Sequence, residues 1–388
     1  MEVYTLDNLW RRVDVIDRFE SLIWTERRSS YGDFEMVVQS TPENRNLLKT
    51  GLYLAMNESF RVMILESVED TSDADGVSKI TLKGRSLEAI LENRAARCSL
   101  ANLATAPKWV LTGTPADIAR EMFHTICVEG ALDEGDIIPF VIEGSIFPED
   151  TIAEPTDEIT YEVDPKSLYL AMKELCDAYD LGFRFVRNYD TSQLYFDVYT
   201  GNDLTSAQTT LPAVIFSPNL DNLQDTTELS SIAGYKNVAL VVSPVGYEYV
   251  YPIGIDPSIA GFDRSVLLVN AEDITDANPV VASAQMVQRG NEELAKNRRY
   301  SAFDGELTPN SNFKPGRDYN VGDLVELRSL TGSANNMQVT EQIYVSDAQG
   351  ERTYPTLSIN QFIMAGTWLS WDYNQVWEDV GVEEWVDQ

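Results

Sequence analysis

The most apolar run in this chain, Val-Ala-Leu-Val-Val at 238–242, is only strand length, and that ceiling governs what the sequence can fold into. A membrane-spanning helix needs roughly 18 consecutive apolar residues, so no membrane insertion is expected. In its place, short apolar or alternating runs recur between turn residues. Residues 1–98 supply VYTL, RVDVID, LIWTERR, GDFEMVVQS, LYLAMN and RVMILESVED, each of strand length. DTSDADGVSK at 70–79 joins the last of these to KITLKG as a hairpin. Setting Gly76 at the sixth position of a calcium loop puts Thr71 first and Leu82 twelfth, where a carboxylate is required, so the segment reads as a turn. GRSLEAILENRAA at 84–96 then places Leu87, Ile90 and Leu91 at helical spacing behind Ser86 as N-cap.

From about Pro107 the pattern becomes mixed α/β. TPADIAREMFHTICVEG offers Thr114 as N-cap, Pro115 at the first helical position and an apolar face of Ile118, Met122 and Ile126. A second amphipathic helix runs from Ser167 to about Tyr179 and enters a strand through Gly182, with QLYFDVYTG as the next strand. From about residue 211 strands return: VIFSPNLDNL, YKNVALVVSP, YEYVYPIG and RSVLLVN, then a helix at 280–300, strand LVELRS and the hairpin EQIYVSDAQGERTYPTLSI. The fold class expected is α+β, mainly β. Its parts are a β module with a helix at 1–105, a mixed α/β region at 106–210, a second β module with a helix at 211–365, and a C-terminal segment at 366–388. That segment holds four of the seven tryptophans, Trp368, Trp371, Trp377 and Trp385, with six acids and no Lys or Arg. Four large aromatics in one short acidic segment indicate docking, either on the chain itself or on a partner, with the four tryptophans as the candidate partner-binding residues.

Charge narrows function. The chain carries 62 acidic and 29 basic side chains, net −33. Residues 1–112 hold 17 acids and 14 bases, whereas the remainder holds 45 and 15, so the acidity belongs to the later regions. Between Arg120 and Lys166 there are thirteen Asp or Glu and no Lys or Arg; with its prolines, the stretch FPEDTIAEPTDEITYEVDP reads as an extended, solvated excursion. Proteins that grip nucleic acid do so by Lys and Arg displacing counterions, and this chain has the opposite balance.

The inventory of reactive groups argues against an enzyme. His124 is the only histidine, which excludes HExxH zinc peptidases and facial-triad iron sites. It lies three residues before Cys127 on a helix, a spacing that reads as packing rather than as a dyad. Cys98, Cys127 and Cys176 are odd in number and widely spaced, so reduced thiols in a cytoplasmic setting are expected. MEVYTLDNLWRR has no apolar core before its charges and does not read as a signal peptide. No GxxxxGK[ST] and no GxGxxG after a strand is present, and no cofactor or metal is expected. A glycosidase-type carboxylate pair needs only two acids across a cleft, and carbohydrate binding or cell-wall glycan hydrolysis is the alternative reading.

Four motifs in order resemble the tail hub proteins (minor tail, tail-associated or baseplate hub proteins) of long-tailed phages with non-contractile tails. They are WTERRSSYGDFEMVVQS at 24–40, GRSLEAILENRAA, the series YTGNDLT, VIFSPNLDNL and YKNVALVV, and RDYNVGDLVEL. The likeness spans roughly residues 1–360. It implies a structural virion protein of the tail tip, assembled in the host cytoplasm: a homotrimer of two related β-barrel-like domains per chain, arranged as a ring. Such a ring adapts threefold to sixfold symmetry below a hexameric distal tail protein. The tape-measure protein and tip or receptor-binding proteins are the further partners implied. DNA would be met only as repelled cargo in an acidic channel. Arg27, Arg28 and Asp33, inside the first motif, are interface candidates on that ground.

Overall fold

The structure, a computed structural model, describes residues 1–72, 78–99, 108–252, 254–297, 300–308, 312–328 and 334–358. The first β module forms β1 (Val3–Leu6), β2 (Arg12–Ile16), β3 (Phe19–Arg27), β4 (Asp33–Gln39), a short helix α1 (Pro42–Leu47), β5 (Tyr53–Met56), β6 (Val62–Ser72) and β7 (Ser78–Ser86). Period-two alternation decides which side each residue faces. In β4, Phe34, Met36 and Val38 are buried while Asp33 and Glu35 are exposed. On β3, Leu22 and Trp24 go inward and Ile23 outward, and the Trp24 and Phe34 rings meet at 5.9 Å. Gly32 lets β4 approach β3, because a Cβ there would lie 2.0 Å from the Thr25 carbonyl oxygen. The expectation missed α1, although Thr41 caps it by accepting from Asn44 N and Pro42 opens it.

The segment expected as a helix at 84–96 is instead a 3₁₀ helix over Leu87–Asn93. Ser86 makes no cap, since its hydroxyl accepts from Gly32 N at 2.8 Å. Arg94 then turns extended and its carbonyl accepts from Leu168 N, which ends the helix by tertiary pairing.

The middle region contributes β8 (Trp109–Gly113), α2 (Pro115–Phe123), β9 (Val141–Glu143), β10 (Ile159–Val163), α3 (Leu168–Tyr179), β11 (Gly182–Arg187) and β12 (Leu194–Tyr199). Thr114 and Ser167 cap the two helices as their sequences indicate. A π turn at His124–Val128 extends α2. Strands β8 and β10 form an antiparallel ribbon, and β11, β12 and β9 form a sheet in that order. Phe123 stacks on Phe196 at 3.6 Å inside a core that also takes Met122, Met172, Leu175 and Leu91. Each such fully buried side chain contributes about 1.5–3 kcal/mol.

The remaining elements are β13 (Ile215–Phe216), β14 (Leu223–Ser231), β15 (Val238–Ser243), β16 (Gly246–Val250), β17 (Val266–Asn270), α4 (Pro279–Ala295), β18 (Tyr300–Leu307), β19 (Leu324–Arg328), β20 (Ala334–Asp347) and β21 (Gly350–Ser358). A thirteen-stranded sheet joins the early and late strands in the order β14-β18-β21-β20-β3-β4-β7-β6-β5-β1-β2, with β19 on β20 and β13 on β19. The junction is β3 against β20, antiparallel from Arg27↔Glu341 to Leu22↔Ser346. The mainly β character expected is observed. The hydrogen-bonded path is open, from β14 at one end to β2 at the other, and closes no barrel among the described residues.

Residues Ser231–Tyr300 form a compact unit of their own. There β15 lies between antiparallel β16 and parallel β17, and α4 covers one face, packing Ala282, Met286 and Leu294 on Val241, Val250 and Val269.

Candidate assembly interface

The end of β3 carries Glu26, Arg27 and Arg28, and each is held by a different part of the chain. Arg28 is 8% exposed. Its guanidinium donates to Gln338 Oε1 at 2.7 Å, to the Asp180 carbonyl at 2.5 Å and to the Thr200 carbonyl at 3.3 Å. Its own carbonyl accepts from Phe183 N at 3.2 Å. Arg28 is thus an internal clamp between β3, the end of α3 and β20. Arg27 Nε meets Glu341 Oε2 at 2.6 Å, and its NH1 lies 3.3 Å from Asp33 Oδ2. The structure therefore brings Arg27 and Asp33 together, with Asp33 half exposed, and engages Arg28 wholly within the chain.

Behind these residues lies a charged seam that sequence reasoning missed. Arg61 and Glu88 form an ion pair with both side chains buried, and Glu88 Oε1 also accepts from Phe185 N at 2.7 Å. Arg61 NH2 donates to the Arg27 carbonyl at 3.2 Å. Glu26 accepts from the Ser59 hydroxyl, which in turn accepts from Trp24 Nε1 at 3.2 Å. Burial holds the Glu26 carboxyl above its usual range, though Arg61 pulls the other way. Arg184 pairs with Asp197 at 2.8 Å and lies over the Tyr199 ring at 3.8 Å. In sequence these residues look like any solvated face; in the fold Arg61, Glu88, Arg184 and Asp197 are all buried, Arg184 on β11, which is buried at all six positions. The buried charges of Arg61 with Glu88 and of Arg184 with Asp197 persist because each is paired with its opposite and makes further hydrogen bonds.

The motif RDYNVGDLVEL serves the same seam. Gly322 adopts φ 106°, and a Cβ there would meet Tyr199 at 2.4 Å. Asp323, buried, accepts from Asn202 N at 2.8 Å and Asn320 N at 2.7 Å. The acidic excursion is pinned rather than free: Asp150 accepts from Thr200 N at 2.8 Å and Gly201 N at 3.0 Å, and Glu154 pairs with Arg120.

Surfaces available to a partner lie elsewhere. Strand β2 ends the large sheet and pairs only with β1 among the described residues. Its Val13 and Val15 are 61% and 49% exposed, alternating with exposed Arg12 and Asp14, so among the described residues this end strand is open and carries two exposed apolar side chains. Trp368, Trp371, Trp377 and Trp385 lie outside the described residues.

No group of three or more His, Cys, Asp or Glu able to hold a metal occurs among the described residues. His124 Nδ1 meets Glu143 Oε2 at 2.8 Å and Nε2 lies 3.4 Å from Glu129, and these partners, Glu143 first, hold the imidazole above its ordinary pKa. Cys127 is buried, and burial pushes its thiol up to about 12, the reverse of an activated nucleophile. No helix among the described residues is long and apolar enough to cross a membrane.

This architecture is shared with solved structures. The chain is similar to a tail protein from Neisseria meningitidis MC58, at 11% identity and TM-score 0.55 over 92% of this chain and 96% of that one. It is similar to the 43 kDa tail protein of prophage MuSo2 from Shewanella oneidensis, at 14% and 0.52 over 92% and 98%. Prophage tail protein gp18 from Listeria monocytogenes EGD-e gives 11% and 0.51 over 93% and 95%. At such identities the likeness defines the fold, that of phage tail proteins. Residues 1–357 match the family of siphovirus ReqiPepy6 Gp37-like proteins, and the chain belongs to that family. No curated protein sequence is similar to it. Family and fold together place it among bacteriophage tail proteins, the group the sequence motifs resemble.

Proposed function

We propose that the chain is a structural, non-enzymatic hub of the tail tip, working as a homotrimeric ring that closes the tail tube. The observation that supports this most is the β3–β20 junction. It fuses the early and late strands into one wall with an open edge at β2, where two apolar side chains are exposed. An open wall is completed economically by the next copy, and two β modules per chain give three copies a pseudo-sixfold outline, matched to a hexameric distal tail protein. In this reading residues 1–105 and 211–365 are the two related hub domains and 106–210 lies peripherally.

Acidity suits the conduit. Phosphates passing a wall of Lys and Arg would be held, whereas a net charge of −33 per chain repels them. The tape-measure protein would end at the ring. The Trp-rich segment, with Trp368, Trp371, Trp377 and Trp385, would hold tip or receptor-binding proteins, since aromatic anchors dominate interface energies. Arg27 on β3 and Asp33 on β4 lie six and five strands from β2 in the sheet order, so in this reading they and Arg28 brace the wall rather than form the contact at β2. Sedimentation of the purified full chain tests the oligomer: a species of about three times 43.5 kDa is expected, and a monomer at every concentration would contradict it.

A further inference from the structure

Unit Met1–Ser230 contains a cavity of about 310 Å³ that neither the charged seam nor the ring reading uses. Its walls are the turn between β1 and β2, the 3₁₀ helix Leu87–Asn93, the loop leading into β9, and strands β11 and β12. Trp10 and Tyr53, with their rings 4.9 Å apart, line it together with Ile90, Phe140, Phe185 and Leu194, and Asn8 and Arg94 are its polar lining residues. An apolar cavity of about half this volume holds a benzene ring, so this one has room for an indole and the start of its main chain. It stands at the small end of ligand sites, which run from about 300 Å³.

Two of the wall residues are strained. Trp10 and Phe140 each adopt φ 61°, the left-handed region that bulky side chains avoid. At Trp10 the strain is held by pairing, because Trp10 N donates to the Asp7 carbonyl at 2.9 Å and Arg187 Nε donates to the Trp10 carbonyl at 2.6 Å. Phe140 differs: the residue is 63% exposed and its ring stacks on no other ring among the described residues. A strained backbone that places an aromatic ring in water beside an apolar cavity is explained if the ring closes over a guest. Leu9, between the lining residues Asn8 and Trp10, and Ile142, two residues beyond Phe140, are both exposed. Beside the cavity runs β9, which pairs with β12 on one side only among the described residues. A free small molecule would fill the cavity and leave the strand edge unused, whereas an extended polypeptide uses both, through side-chain anchoring and main-chain pairing.

We propose that this cavity is a docking site for an extended segment of another protein, which inserts one aromatic side chain between Trp10, Ile90 and Phe140 and pairs its main chain with the open edge of β9. The test uses the full chain and two probes, 5-fluoroindole and the peptide acetyl-Gly-Val-Trp-Val-Gly-amide, followed by ¹⁹F NMR and by calorimetry. Both should bind, the peptide at least tenfold more tightly because only it reaches β9. Ile90→Phe, which fills the cavity, should weaken both at least tenfold. Phe140→Ala, an exposed position that leaves folding intact, should weaken both severalfold even if Ile90→Phe disturbs the core. Equal affinity of the two probes would make the cavity a small-molecule site and overturn the proposal. Absence of binding, or binding unchanged in both variants, would overturn it as well.

Discussion

The buried pair Arg61–Glu88 sets the sharpest quantitative test of how the early and middle segments are joined. In Glu88→Ala the Arg61 guanidinium, 5% exposed, is left without a counter-charge, which costs about 3–5 kcal/mol. The same change orphans the Phe185 N–H, which donates to Glu88 Oε1 at 2.7 Å, and a buried unpaired donor costs a further ~1–3 kcal/mol. Because the two losses share one carboxylate they overlap, and about 4–6 kcal/mol is expected, a large share of the ~5–15 kcal/mol that holds a domain together. Glu88→Gln keeps an acceptor for the Phe185 N–H but still removes the counter-charge of Arg61, so about 3–5 kcal/mol is expected. Arg61→Met with Glu88→Leu removes both charges and should cost no more than about 1–3 kcal/mol, the residue of the Phe185 donor. Urea unfolding by near-ultraviolet circular dichroism gives the three values, and hydrogen exchange at the Phe185 amide reports the local opening. A loss under about 1 kcal/mol in Glu88→Ala, or a double variant as unstable as the single one, would refute the reasoning.

Other outcomes follow from the same structure. Placing lysine at Val13 and Val15 on β2 should change stability by no more than about 0.5 kcal/mol, since both are exposed, yet abolish self-association in sedimentation; an unchanged oligomer would remove β2 from the interface. Gly32→Ala should destabilise by more than ~3 kcal/mol, because its Cβ would sit 2.0 Å from the Thr25 carbonyl, and soluble yield with melting temperature would show it. His124 has a raised folded pKa, so its contribution is fully present below the unfolded value of 6.5 and is lost as pH rises through the folded one. Melting profiles of wild type and His124→Ala should therefore converge above that window; parallel profiles would argue against the Glu143 contact. Removing residues 366–388 should leave circular dichroism unchanged while losing a tip protein on copurification, and an unfolded product would assign that segment to the core.

Much of this fold was legible locally. Thr114 with Pro115, Ser167, and the alternation of Phe34, Met36 and Val38 each carry their structure in a few adjacent residues, and each formed the element expected. The 84–96 segment shows the limit: its spacing was helical, but Gly32 takes the Ser86 hydroxyl and Leu168 takes the Arg94 carbonyl, partners that no local pattern contains. The β3–β20 junction is invisible for the same reason, since Arg27 and Glu341 are more than three hundred residues apart. Arg61, Glu88 and Arg184 look like surface charges until the chain buries them against one another. Arg27, Arg28 and Asp33 were singled out through a motif, and the motif's physical content is partly the fold itself: Gly32 for close approach and Arg28 as an internal clamp.

A cryo-electron reconstruction of the virion tail tip bears most directly on the assembly reading. Three copies of this chain are expected in a ring below the distal tail protein, with the β2 edge of each copy meeting a different surface of the next, and with a lumen lined mainly by Asp and Glu. A tip without this chain, or a ring whose lumen is lined by arginine and lysine, would contradict it.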